Sequence, residues 1–290
     1  MKRILMYLLL AGAALSCTKE SAPSVKPSDE IVFSVGDNLS CEVYTRAAAV
    51  TSLSKVNWLC TSTASPAVQV YSLNDLAVKN GSVSTGAFWP SVSTAYTMYA
   101  SNAAMTFTKG SSGDGSVTVN PTSNSTDVVI GKKSGVAWKS KGSITLDHIY
   151  ARLSDAVLTA PAGYILSGVT LSMSAPTSGK YELNSDKWTP GTAVAQTFGA
   201  AVYDSESATG NKATLTQDLY VVPGTYTLTC KYTLTKGAYT ETFTKSADIT
   251  LAKGMNTSIT STLPSGNAAG IEFAIVITAW GDTSLAPVFN

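Results

Sequence analysis

The sequence predicts an all-β protein, built as two tandem antiparallel β-sandwiches behind a signal peptide and a short tether. Two observations carry that expectation. The body repeats short runs of alternating apolar and polar residues rich in Val, Thr, Tyr and Ile, each closed by Gly, Asn, Pro or Ser, which is the pattern of half-buried strands joined by turns. No stretch keeps the helical spacing of apolar residues over three turns, and the longest Ala-rich piece, around Ala47 to Val50, is too short for a helix to hold itself together.

The opening MKRILMYLLLAGAALSC joins Lys2 and Arg3 to an apolar run from Ile4 to Leu10 and then to small residues through Ser16, the three parts of a secretory signal. The run is too short to span a bilayer. Cys17 sits where a lipoprotein signal peptidase cuts, so residues 1–16 are expected to leave and Cys17 to carry the lipid that anchors the precursor at the outer membrane. Leu15 stands two residues before the cysteine instead of three, which makes the cleavage motif a loose one. Residues 17–29 are polar and Pro/Ser-rich with nothing to bury, and read as a tether.

The remaining body suits two ordinary sandwich domains, expected at 30–160 and 161–290, with the turn-rich TAPAG segment at 159–163 between them. Strand candidates in the first are Ile31 to Val35, Val68 to Leu73, Thr97 to Ala100, Val117 to Val119, Val128 to Ile130 and Ile149 to Leu158. In the second, Tyr164 to Met173 is followed by a meander from Thr214 to Leu251, turning at Pro223-Gly224 and again at Lys236-Gly237.

Composition excludes several functions. With a net charge of +1 and 13% charged residues, the chain has no field to attract nucleic acid. Of its four cysteines, Cys41, Cys60 and Cys230 lie in the body with no C-x-x-C pair, and with a single histidine they cannot build a structural zinc site. Buried small residues are the expected role of the three, with one bridge such as Cys41 to Cys60 as the alternative. His148 and Asp147 are neighbours in a strand and therefore point to opposite faces, so they cannot orient one another as a catalytic triad requires. Asp114 in KGSSGDGS lacks the ligand spacing of a calcium loop. The chain reads as a protein that is not an enzyme and needs no cofactor. The five tryptophans, at 58, 89, 138, 188 and 280, are core candidates first and a sugar-stacking platform second.

Arginine is scarce: Arg3 lies in the signal, Arg152 inside a predicted strand, and Arg46 in the small-residue stretch EVYTRAAAV. An Arg-specific surface protease would therefore cut between Arg46 and Ala47. That cut would remove Cys17 to Arg46 and with them an expected edge strand carrying Ile31, Phe33 and Val35 in the removable segment 30–46, exposing an apolar groove with unpaired backbone groups that another chain's strand can fill. The C-terminus offers such a strand. IEFAIVITAW aligns Ile271, Phe273, Ile275 and Ile277 on one face, and Leu285 and Val288 follow in the tail, which Gly281 and Pro287 interrupt.

Several segments together resemble the fimbrillin family of pilus subunits: the cysteine of the signal, the Thr45-Arg46-Ala47 junction, AFWPSVSTAYTMYAS, TDVVIG, SITLDHIYARLSDAVL, YILSGVTLSMSAPTSGKY with Trp188, and the late AIVITAW. The resemblance implies two Greek-key, transthyretin-like sandwiches, export as a lipidated precursor through Cys17, maturation after Arg46 by an Arg-specific protease, and polymerisation with other pilus subunits by strand exchange into a surface fimbrium. Ile31, Phe33 and Val35 would lie on the removed strand and the C-terminal segment would be the donor. A tip or anchor subunit, or a monomeric surface lipoprotein that binds a host glycan or protein, are the alternatives.

Overall fold

The computed structural model describes residues 30–37, 53–64, 66–110, 115–122, 126–140, 142–205, 210–216, 218–266, 270–271 and 273–279. Every regular element among them is a strand, as the alternation predicted. The N-terminal half contributes β1 (Glu30–Asp37), β2 (Lys55–Ser62), β3 (Gln69–Lys79), β4 (Ser82–Phe88), β5 (Tyr96–Ser101), β6 (Met105–Lys109), β7 (Gly115–Val119), β8 (Val129–Val136) and β9 (Gly142–His148). Seven of these pair in the order β1-β4-β3-β2-β5-β8-β9, and the parallel pair of β1 with β9 closes them into a ring.

Strand periodicity fills that ring. β4 and β9 bury every second residue, so Val83, Ala87, Ile144 and Leu146 point inward beside Trp58, Tyr96 and Met98 to make a first core. The β3 to β4 hairpin turns on Asn80 and Gly81, both at positive φ (50° and 70°), the geometry a two-residue turn needs to match the twist of its strands.

The C-terminal half contributes β10 (Ala151–Thr159), β11 (Ile165–Pro176), β12 (Gly179–Glu182), β13 (Lys187–Pro190), β14 (Ala193–Thr197), β15 (Val202–Tyr203), β16 (Lys212–Leu215), β17 (Leu219–Val221), β18 (Gly224–Lys236), β19 (Tyr239–Leu251), β20 (Met255–Thr262) and β21 (Ala274–Ala279). A sheet ordered β15-β16-β10-β20-β21, with β17 also on β10, and a sheet ordered β14-β11-β18-β19 both supply the second core, among them Leu153, Leu171, Cys230, Tyr232, Phe243 and Ile259.

Between the two cores a further sheet and a further cluster combine residues of both halves. β6 and β7 share a sheet with β12 and β13, with Tyr181 opposite Val119, and a third apolar cluster gathers Leu59, Tyr99, Val117, Tyr150, Tyr181 and Tyr220 from both halves. The second core begins at Ala151, ahead of the TAPAG segment where the sequence suggested a boundary. β10 is nearly continuously buried, and its backbone is paired on both edges, with β16 and β17 on one and the parallel β20 on the other.

Candidate functional site

The first strand is the element on which the functional expectation turns, and it is built into the ring on both sides. Along one edge β1 runs parallel to β9, from Phe33 opposite Gly142 to Asp37 opposite Leu146. Along the other it runs antiparallel to β4, with Val32 opposite Ser84 and Ser34 opposite Ser82. Ile31, Phe33 and Val35 are 0%, 1% and 6% exposed, whereas Val32 and Ser34 between them face outward. Phe33 stacks on Trp58 at 5.9 Å between ring centroids, and Trp58 in turn on Tyr71 at 5.7 Å. At about 1.5 to 3 kcal/mol for each buried side chain, these three contribute roughly 5 to 9 kcal/mol to closing the first core.

Polar contacts fix the register. Val35 N donates to Gly81 O at 2.9 Å and Thr85 Oγ1 donates to Ile31 O at 2.7 Å. The Glu30 carboxylate accepts from Ser84 Oγ and, at 2.9 Å, from Gly86 N, and these bonds hold its carboxyl below the ordinary range.

The expected donor residues have mixed placements. Ile271 is buried in the second core and Phe273 and Ile275 pack against it, while β21 pairs antiparallel with β20 so that Ile275 lies opposite Ile259 and Ile277 opposite Thr257. The Ile271, Phe273 and Ile275 side chains are therefore engaged at home. Cys17, Cys41, Arg46, Ala47, Asp114, Trp280, Leu285 and Val288 lie outside the described residues.

Arg152 is in β10 as expected, 8% exposed, with Nε donating to Asp218 Oδ1 at 2.8 Å and Nη2 to the same oxygen at 2.5 Å. A protease must unfold its substrate locally into an extended strand, and an arginine paired in the middle of a sheet does not present one. His148 is buried and Asp147 exposed, the opposite faces that strand geometry required. Its partner is the buried Asp127, with Nδ1 and Oδ2 2.6 Å apart. Local sequence gave no signal of that pair, since Asp127 reaches it across the β8 to β9 ladder.

The tryptophans pack. Trp58 is fully buried, Trp89 lies against Tyr96, and Trp188 donates to Ile149 O at 3.0 Å between Tyr150 and Tyr181. Trp138 is 37% exposed, with the Lys139 ammonium 4.2 Å from its ring centre. No aromatic platform forms among the described residues. Cys60 and Cys230 are free, buried thiols, and burial pushes both up to about 12.

These features define a β-scaffold with two main cores, the first of which is completed by the first described strand, held by pairing on both edges, by side-chain hydrogen bonds and by burial. The chain belongs to the fimbrillin-like family, whose profile matches residues 49–280. Proteins of that family are structural and not enzymes. No curated protein matches the chain. Among solved structures it is similar to a proposed cell adhesion protein from Bacteroides eggerthii DSM 20697, at 11% identity over 88% of this chain and 97% of that one, with a TM-score of 0.45. It is also similar to the fimbrial anchor protein Mfa2 from Porphyromonas gingivalis, at 10% identity over 87% and 97% with a TM-score of 0.41. A fimbrial assembly protein from Parabacteroides distasonis ATCC 8503 matches at 12% identity over 86% and 98%, with a TM-score of 0.44. The family assignment rests on the profile match and not on these distant likenesses.

Proposed function

We propose that this chain is a structural subunit of a bacterial surface fimbrium, exported as a lipoprotein precursor through Cys17, matured by an Arg-specific protease after Arg46, and joined to its neighbours by strand exchange. The observation that carries the reading is the position of β1. It lies between two partner strands and supplies three inward side chains to the first core, so its departure leaves a ready slot with β4 and β9 as unpaired edges and an apolar floor around Trp58. Burial of Arg152 disfavours a cut at the other arginine of the mature chain and so supports Arg46. Because Ile271, Phe273 and Ile275 already serve the second core, the donor role falls to the tail with Leu285 and Val288.

The test is incubation of the lipid-free precursor, starting just after Cys17, with an Arg-specific protease, followed by intact mass and an unheated gel. The expected result is a single cut after Arg46 and a ladder of detergent-resistant multimers, both lost in Arg46→Ala. A clipped product that stays monomeric would remove strand exchange from the proposal. Cleavage at Arg152 in the folded chain would remove the argument for a single site.

A further inference from the structure

The ring of the first half has two unlike ends. At one, β9 ends at His148 and the chain passes into β10 of the second half. At the other, the strand ends close a rim. Glu30 lies opposite Phe88, and the Tyr71 hydroxyl donates to Phe88 O at 2.6 Å. Ser62 N donates to Val68 O at 2.9 Å and Thr63 N to Ala95 O at 3.0 Å. Tyr96 lies opposite Val136, and Gly142, opposite Phe33, brings the circuit back to β1.

Large apolar side chains collect on that rim. Val68, Phe88, Val92 and Trp138 are 51%, 37%, 70% and 37% exposed. Among the described residues of the first half, the only other large apolar side chain so exposed is Val32, on the outer wall of β1. Single exposed valines are ordinary. Four large apolar groups on one end of the ring, with none at the end that meets the second half, mark a face that is covered in use.

The length of chain available to a donor says what covers it. An occupant of the β1 slot that keeps both ladders runs in the sense of β1, so its N-terminal end lies at this rim, beside Phe88. The tail proposed for that role leads on from Ala279, the last residue of β21, and five residues separate Ala279 from Leu285. At about 3.6 Å per residue at full stretch, Ala279 of the copy that supplies the tail lies within roughly 20 Å of the rim. That is less than the roughly 30 Å diameter of a small domain, so the two bodies cannot stand apart. Ala279 lies opposite Met255, whose N donates to Ala252 O at 3.2 Å in the turn between β19 and β20. That turn is what the short leash brings to the rim.

We propose that the rim with Val68, Phe88, Val92 and Trp138 is a docking face for a second copy of this chain, which seats the end of its β21 and its Ala252 to Met255 turn against it. The inference deepens the strand-exchange reading and rests on it. The inserted strand supplies the hold, and the rim sets the angle between successive subunits, which turns a leash into a stiff joint.

The experiment uses the lipid-free precursor with Cys41→Ser, cut by an Arg-specific protease, and one added thiol at Val92→Cys. Val202→Cys is the comparator: Val202 is 71% exposed and sits on β15, at the opposite edge of its sheet from β21. Cys60 and Cys230 are buried and do not compete for label. Maleimide labelling, read by peptide mass, should fall at least about tenfold at Val92→Cys in the multimers relative to the uncut precursor, and stay unchanged at Val202→Cys. Val92→Asp should slow growth of the ladder about tenfold, since docking would strand its carboxylate among apolar groups, and Val202→Asp should not. A Val92→Cys thiol that stays open in the multimers, or a Val92→Asp ladder that grows at the unsubstituted rate, overturns the docking face while the ladder itself keeps strand exchange standing. No ladder from the unsubstituted chain overturns strand exchange, and the docking face falls with it.

Discussion

The first and the last of the described strands, β1 and β21, are held in different ways. β1 is clasped between β4 and β9 and its inward residues are 0% to 6% exposed, so the first core cannot close without it. β21 has a single described neighbour, β20, and Phe273 and Ile275 are only half buried. An edge strand adds to a core that already has its main layers, whereas a clasped strand is one of the layers. The end of the chain that matters most to its own core is therefore the end that the proposed cut after Arg46 would separate from it.

The largest expected effect follows from taking β1 away. Denaturant unfolding of the first core should lose about 5 to 9 kcal/mol after cleavage behind Arg46 and separation of the strand, while a chain cut after β20 should lose far less. Equal losses would dissolve the contrast. Phe33→Ala should cost about 3 to 5 kcal/mol, because it empties the place against Trp58, and Ile275→Ala about 1 to 2 kcal/mol. Asp218→Ala should also destabilise the fold, because it removes the carboxylate that pairs with the buried Arg152 guanidinium, and denaturant unfolding would show the loss.

Thiol chemistry sharpens the same comparison. Both Cys60 and Cys230 should resist alkylation in the intact fold, since burial lifts their pKa values to about 12. Release of β1 should speed labelling of Cys60 at least tenfold, or about 1.4 kcal/mol of opening, and leave Cys230 protected. Parallel acceleration at both sites would mean that the third cluster couples the cores into one opening unit.

The smallest effect belongs to the Asp186 to Lys253 pair at the joint. Burial raises the Asp186 carboxyl, but the bonds from Lys253 and Tyr181 outweigh it and leave the folded-state value depressed. Its contribution is therefore present above the ordinary aspartate value of about 3.9 and is lost as pH falls through the folded value. The groups are 35% and 59% exposed, which limits the contribution to under about 1 kcal/mol. Wild type and Asp186→Asn should differ slightly in melting temperature near neutrality and converge in acid.

The sequence was most legible where structure is local. Alternation marked Ile31 to Val35, Thr97 to Ala100 and Val117 to Val119 within observed strands, and the later part of the expected meander is β18 and β19 with their turn at Gly237, whereas Thr214 to Val222 divides into β16 and β17, which pair with β10 in the other sheet. It was least legible where partners are distant in the chain. Tyr181 meets Val119, Asp127 meets His148, and Asp186 meets Lys253, pairings that leave no trace in any short window. The burial of Ile31, Phe33 and Val35 was readable from their period of two; that they sit between two strands was not.

The parallel pairing of β1 with β9 has a consequence for any assembly made by replacing it. The slot has a sense, parallel to one wall and antiparallel to the other, so an occupant that keeps the ladder bonds can enter in only one direction. Joints of that kind are head-to-tail and do not close on themselves by a two-fold axis. A filament assembled through such joints would have two chemically distinct ends, one showing an empty slot and the other an unplaced donor segment, and the sense of the slot that β1 leaves would fix the direction of its growth.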